Sequence, residues 1–213
     1  MWIAVFLVPS AGLRPAHGHT LPQSVLICAN PRLVSTRGDS LMGAYNRHVS
    51  IAEHREVAPS QVRCFVLTIS DTRLEATDTS GNAIVEALTE AGHEVTGRQI
   101  VPDDPDAVRD VVTLQAGGVQ VIVTTGGTGI TSRDSTYEAI AGMLEKRLDG
   151  FGELFRVLSY KEIGAAAMLS RACAGTIGKT AVFCLPGSEH AVRLAMSTLI
   201  APEIRHVVRE LER

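Results

Sequence analysis

Read by its hydrophobic and polar positions, the chain changes character near residue 60. Before that point Pro, Ser, His and Arg interrupt any sustained period of 2 or 3.6. After it, apolar runs alternate with helical stripes. Residues 63–70 (RCFVLTIS) form a β-rich apolar run, read as the first core strand. Ala83, Ile84, Ala87, Leu88 and Ala91 share one helical face over 79–91, and Gly92 suits the helix end. A second strand over 94–101 is broken by Pro102-Asp103-Asp104-Pro105, where Asp104 can cap a helix that opens on Pro105. Val108, Val111 and Val112 give the next helical stripe, and 119–124 is a third, buried strand. A β-α-β-α-β order with right-handed crossovers predicts an α/β fold. The expected architecture has three layers: a mostly parallel sheet with helices on both faces.

Beyond the third strand, Ser135 and Glu138 have capping-box spacing, which predicts a helix from there to Leu148, ended by Asp149-Gly150. Residues 152–160 and 165–172 read as helical. Two short strands within 174–185, split by Gly178-Lys179, read as a small β-hairpin. A helix over 189–199 and a last one opened by Pro202, with Ile204, Val207, Val208 and Leu211 on one side, complete the pattern. The expected organisation is an N-terminal extension over 1–60, largely disordered or mis-started, and one domain over 61–213.

The opening MWIAVFLV is apolar, but no Lys or Arg precedes it and its length is at the short limit of a secretory core, so it is not read as a leader. His17 and His19 lack a third ligand nearby and read as part of a polar segment. Met42 is an expected internal start, and residues before it are expected to be disordered or absent from the natural product.

Composition narrows the function. The chain has 213 residues, 45% hydrophobic content and a net charge of −3, with no run of basic residues. No nucleic-acid partner is expected. No apolar run approaches the ~20 residues needed to span a bilayer, so no membrane partner is expected. Cys28, Cys64, Cys173 and Cys184 show no CxxC pairing and read as free thiols of a cytoplasmic protein.

The chemistry concentrates in residues 119–140, VQVIVTTGGTGITSRDSTYEAI. A buried strand runs into the turn Thr125-Gly126-Gly127-Thr128-Gly129, then a loop bearing Arg133 and Asp134, then a helix start. Glycine backbone amides approach phosphate closely, and a helix N-terminus adds partial positive charge. The turn is neither a dinucleotide fingerprint nor a Walker A loop, and Gly178-Lys179-Thr180 lacks the strand-to-helix context of one. Asp103 and Asp134 both follow strands of the same parallel sheet, so both are expected at one edge. Two carboxylates there are a means of holding Mg²⁺ against phosphate oxygens. Asp71, at the end of the first strand, and Arg133, in the turn, are further ligand candidates. Arg171 reads as less certain, and His190 as a surface residue. No Ser/His/Asp order or His cluster emerges, which sets hydrolase and zinc readings aside.

TTGGTGITSRDSTYEAI, with LTISDT at 67–72 and LPGS at 185–188, resembles the MogA/MoaB family of molybdenum cofactor biosynthesis. The segment DGFGELFRVLSYKEIGAAAMLSRACAG is most similar to the MoaB branch. The resemblance covers about residue 53 to the C-terminus. It implies a compact α/β domain that binds molybdopterin and, in active members, adenylates it with Mg-ATP and releases pyrophosphate. It assigns catalysis and Mg²⁺ binding to Asp103 and Asp134. It assigns ligand binding to the Gly turn, to Ser70 and Asp71, and to Pro186, Gly187 and Ser188, with a weaker role for Ser170-Arg171. It also implies a homotrimer or hexamer and other cofactor-biosynthesis proteins as partners. The alternative is a non-catalytic oligomer that holds molybdopterin or a precursor. One departure stands out: Tyr137 replaces the proline of a D-x-T-P-E pattern. It is expected to shift the turn slightly or to be exposed, leaving Asp134 in place.

Overall fold

The computed structural model describes residues 58–213. The expectations placed on the opening apolar run, on His17 and His19, on Cys28 and on Met42 lie outside the described residues.

One sheet of six strands organises the rest. The strands are β1 (Arg63–Ile69), β2 (Glu94–Val101), β3 (Val121–Thr125), β4 (Lys146–Arg147), β5 (Cys173–Ile177) and β6 (Thr180–Leu185), in the order β2-β1-β3-β6-β5-β4. β1 pairs in parallel with β2 and β3, and β3 with β6; β5 runs antiparallel to β6 and β4. The helices are α1 (Thr79–Glu90), α2 (Pro105–Gln115), α3 (Thr136–Met143), α4 (Asp149–Ile163), α5 (Glu189–Ala195) and α6 (Ala201–Glu212).

Alternation along the strands builds a core on each face. Cys64, Val66, Val121 and Val123 point to one side, against Ile84 and Leu88 of α1, Phe155 of α4, Val192 of α5 and Ile204 of α6. Phe65, Leu67, Ile69 and Ile122 point to the other, against Val108 and Val112 of α2 and Ile140 of α3. Burial on both faces is why the central strands read as unbroken apolar runs. The fold is therefore the α/β, mostly parallel, three-layer arrangement the pattern predicts, with the β5–β6 hairpin turning at Gly178, whose φ is +56°.

The boundaries differ in physical ways. β3 starts at Val121, because Val119 forms an isolated bridge with Ala116 instead, and Thr125 belongs to the strand rather than the turn. α3 stops at Met143, short of Leu148, and Lys146–Arg147 add a two-residue edge strand to β5. So short a strand has no period to read, and its charge is typical of a sheet edge. Asp149 opens α4 rather than ending α3. Gly164, at φ +61°, closes α4, and 164–169 tightens into a 3₁₀ turn where an α-helix is expected. A π turn over Met196–Ile200 joins α5 to α6.

His93, just before β2, is buried, and its Nδ1 has no hydrogen-bond partner among the described residues. Burial, then the charge of Arg205, lowers its pKa from the ordinary 6.5. A histidine held neutral in the fold but free to protonate when unfolded makes the unfolded state bind more protons below its ordinary pKa. Its share of stability is thus intact above 6.5 and lost as pH falls below it. The urea midpoint is expected to drop between about pH 7.5 and about pH 5.5, and His93→Leu to flatten that slope.

Candidate functional site

Parallel pairing brings four strand ends to one level. Ile69 faces Val101, Thr68 faces Thr125, and Thr125 faces Leu185. The loops after β1 (Ser70, Asp71), β2 (Pro102, Asp103), β3 (Gly126–Gly129) and β6 (Pro186–Ser188) therefore leave the sheet at its carboxyl edge, where open α/β sheets bind ligands.

These loops touch through their backbones. The Gly126 amide donates to Leu185 O at 3.1 Å, and Thr125 Oγ1 donates to Pro186 O at 2.8 Å. Gly126 has φ +106° and lies so close to the Ile69 carbonyl that a side chain there would collide with it. A Cβ on Gly187 would lie 3.3 Å from the Gly126 Cα. Glycine is thus required by the approach of one loop to the next.

The two carboxylates flank the turn. Asp103 Oδ1 accepts from Ser135 Oγ and Thr136 Oγ1, both at 3.2 Å, and from the Ser135 amide at 3.4 Å. A Cβ on Gly127, whose φ is +61°, would stand 2.7 Å from Asp103 Oδ2. Asp134 Oδ2 accepts from the Thr131 amide at 2.9 Å and from Thr131 Oγ1 at 2.6 Å, and a Cβ on Gly129 would stand 2.8 Å from its Cγ. Those bonds, with Thr131 Oγ1 foremost and Arg171 adding charge, hold Asp134 below the usual carboxylate value. Asp71 Oδ1 accepts from the Asp103 amide at 3.0 Å, which ties the β1 loop to the β2 loop. The predicted capping box does not form: Ser135 is the N-cap, but its hydroxyl serves Asp103, and Glu138 pairs with Arg171.

Asp103 leaves one carboxylate oxygen available. All three donors to Asp103 fall on Oδ1, so Oδ2 accepts no protein hydrogen bond among the described residues. Among the described residues no group of three or more His, Cys, Asp or Glu could hold a metal by itself. Mg²⁺ is commonly held by one or two carboxylates, with substrate phosphates and water completing its shell.

The remaining candidates divide. Ser70 Oγ accepts from the Arg73 amide at 3.1 Å and so shapes the first loop. Thr128 is buried in the turn, and Ser188 is exposed at the start of α5. Arg133 is exposed and makes no hydrogen bond or ion pair among the described residues. The guanidinium bound to the turn is that of Arg171, where Nε donates to Thr128 O at 2.8 Å and Nη2 to Gly129 O at 2.5 Å. Tyr137 is not merely exposed. It is half-buried with its ring 4.8 Å from the Arg171 guanidinium, a cation–π contact. Removing the guanidinium with Arg171→Ala is expected to raise amide exchange of the 127–129 segment at least about tenfold, since even one of its two charge-assisted bonds contributes ~1.5–3 kcal/mol. Hydrogen-exchange mass spectrometry checks it.

Two residues between β1 and α1, Arg73 and Asp78, prove central. Asp78 is fully buried and accepts from Thr68 Oγ1 and Arg98 Nη2, both at 2.6 Å, and from the Gly81 amide at 2.9 Å. Arg73 joins it at 3.3 Å and donates its other nitrogen to Gly187 O at 3.0 Å, bracing the β6 loop. The only signal in the sequence is an acid placed directly before the apolar stripe of α1, which also suits a plain cap. Behind the β6 loop opens a cavity of about 150 Å³, lined by Ser159, Ile163, Ser170, Pro186, Ser188 and Leu194 among others.

Comparison with known proteins places this chain in a family. Residues 65–206 match the family described as "Probable molybdopterin binding domain". Molybdenum cofactor biosynthesis protein B of Bacillus cereus is 53% identical over 168 residues, covering 78% of this chain and 99% of that protein. The protein of the same name from Bacillus subtilis is 50% identical over 168 residues, with the same coverage. A solved structure of molybdenum cofactor biosynthesis protein B superposes with a TM-score of 0.71 at 54% identity, covering 73% of this chain and 99% of that one. The tungsten cofactor synthesizing protein MoaB from Pyrococcus furiosus gives a TM-score of 0.66 at 40% identity, covering 73% of this chain and 100% of that one.

Proposed function

This chain belongs to the molybdopterin-binding domain family, and from that membership we propose that it acts in molybdenum cofactor biosynthesis as a cytoplasmic, Mg²⁺-dependent molybdopterin adenylyltransferase. The observation that carries the reading is the meeting of the Gly126–Gly129 backbone with Asp103 and Asp134 at one sheet edge. Nucleotidyl transfer needs charge neutralisation and alignment more than a covalent catalyst, and this edge offers both.

The molybdopterin phosphate oxygen attacks the α-phosphorus of ATP, the bond to the β-phosphate bridge breaks, and pyrophosphate leaves. The Gly turn and the N-terminus of α3 hold phosphate oxygens through backbone amides. Arg171 and Tyr137 fix the turn's shape from behind. Ser70, Asp71 and the Pro186–Ser188 loop frame the entrance. The cavity beside Ser170 and Ser188 takes the pterin body. Asp103 and Asp134 are the residues that would hold Mg²⁺, which would supply neutralisation of phosphate charge.

The test is direct. Purified protein, molybdopterin and Mg-ATP are expected to yield adenylated molybdopterin and an equal amount of pyrophosphate. Absence of both, with molybdopterin still bound, would leave the second reading: a protein that holds molybdopterin or a precursor without chemistry. One observation favours that rival, since Asp134 is already engaged by Thr131 and has a structural use without any metal.

Self-assembly completes the proposal. Leu154, Val157 and Tyr160 lie three residues apart along α4 at 55%, 54% and 64% exposure, and Met168 follows at 80%. Exposed apolar patches of this kind mark association surfaces. The expected assembly is a homotrimer or hexamer, contacting other cofactor-biosynthesis proteins. Sedimentation should show that species, and Val157→Glu should shift it to monomer.

A further inference from the structure

Past Tyr137 lies a second cavity, of about 210 Å³, that adenylyl transfer does not use. Its walls include Tyr137, Arg147, Asp149, Glu153, Arg156 and Cys173. Cys173 opens β5 and stands directly opposite Cys184 of β6 in the antiparallel register. Both are free thiols, and both belong to the same buried cluster on one face of the sheet. Residues directly opposed on antiparallel strands have Cα atoms about 4.5 or about 5.5 Å apart, according to the pair type. Either separation falls inside the range of about 4.4–6.8 Å that a disulfide spans.

The two thiols are not equivalent. Cys173 is at the cavity wall, and its pKa is lowered by the neighbouring Cys184 thiol, with Arg147 and Arg171 adding positive charge against the opposing effect of burial. Cys184 is wholly enclosed, and the neighbouring Cys173 together with burial raises its pKa. Cys64, on the opposite face of the sheet, is pushed up to about 12 by burial. The thiolate is the nucleophile in disulfide chemistry, so Cys173 is the attacking group and Cys184 the resolving one.

We propose that Cys173 and Cys184 form a thiol–disulfide exchange site, reached through the Arg147 cavity, whose substrate is a small organic disulfide. The Cys173 sulfur attacks one sulfur of that disulfide. A mixed disulfide forms, and the first half leaves as a thiolate that takes the Cys173 proton. The Cys184 sulfur then displaces the second half, which leaves with the Cys184 proton. Two protein thiols are oxidised to one cross-strand disulfide, and the small disulfide is reduced to two thiols. Arg171 lies two residues before Cys173 and Pro186 two residues after Cys184. The new bond therefore ties together the two segments that brace the Gly turn and the β6 loop. The inference stands apart from the adenylyltransferase reading, since the side-chain oxygens of Asp103 and Asp134 take their hydrogen bonds from Ser135, Thr136 and Thr131 among the described residues, not from either thiol.

The experiment uses the folded full-length chain with Cys28 replaced by Ser, treated with bis(2-hydroxyethyl) disulfide, quenched in acid and peptide-mapped by mass spectrometry. A peptide pair joined through Cys173 and Cys184, lighter by two hydrogens, is expected, with Cys64 still free and reacting at least about tenfold more slowly. Cys184→Ala is expected to stop at a hydroxyethyl mixed disulfide on Cys173, and Cys173→Ala to leave Cys184 unmodified. Far-UV circular dichroism confirms that each variant is folded. Two outcomes would overturn the assignment. One is Cys173 remaining free in the folded protein while urea-unfolded protein reacts. The other is Cys184 of Cys173→Ala reacting as fast as the wild-type pair.

Discussion

Asp103→Asn is expected to lower the rate of adenylyl transfer about 10²–10³-fold, the usual cost of removing one preorganised electrostatic group from a transition state. The substitution keeps the side chain's size. The carboxamide oxygen it introduces can still accept from Ser135 and Thr136, so the turn and α3 keep their support. What disappears is the negative charge at Oδ2, the oxygen that faces Gly127 and takes no donor among the described residues. If that oxygen serves Mg²⁺ and phosphate, kcat falls while molybdopterin affinity stays within about threefold, because a loss confined to the transition state leaves ground-state binding alone. Asp134→Asn is expected to act in the same direction and also to loosen the Thr131 turn. Steady-state rates and equilibrium binding measured on both variants separate the two effects. Wild-type turnover in both would end the metal role.

Asp78→Asn is expected to be the most destabilising change of its size in the domain, by about 3 kcal/mol, because it leaves two partly buried cationic partners uncompensated. Arg98 and Arg73 both converge on this enclosed carboxylate, with side-chain exposures of 18% and 29%. Burial alone would raise the Asp78 pKa; the bonds from Thr68, Gly81 and Arg98 together outweigh it and lower the value below 3.8. A carboxyl depressed in the fold contributes stability that is present above its unfolded pKa and lost as pH falls through the folded one. The variant should therefore melt about 10 °C lower near neutral pH. Its deficit should shrink in acid, where wild-type Asp78 is protonated too. Scanning calorimetry at several pH values reads both. Since Arg73 also holds Gly187 O, the β6 loop should lose order with it.

Much of this molecule is legible in its residues, and the exceptions have causes. β1, β2, α1 and α2 read correctly because each carries an apolar run or a helical stripe with a local boundary signal, such as Gly92 after α1 or Asp104 capping the start of α2. The placement of Asp103 and Asp134 beside the glycines follows from parallel topology alone. Tertiary pairing hid the rest. Ser135 and Glu138 have the spacing of a local cap, yet each finds a stronger distant partner, Asp103 and Arg171. Arg133 looks like the cation of the turn because it is adjacent in sequence. Arg171 takes that place from 42 residues away through Gly129, and Tyr137 provides the face it rests on. No period or spacing reports such contacts.

The most direct test of the account is where a divalent ion binds. A crystal of the protein grown with Mn²⁺, as an anomalous scatterer in place of Mg²⁺, and a non-hydrolysable ATP analogue should show one strong anomalous peak. It is predicted between Asp103 Oδ2 and the Asp134 carboxylate, in contact with phosphate oxygens that rest on the amides of Gly127–Gly129. A nucleotide seated elsewhere, or an ion that touches neither aspartate, would contradict it.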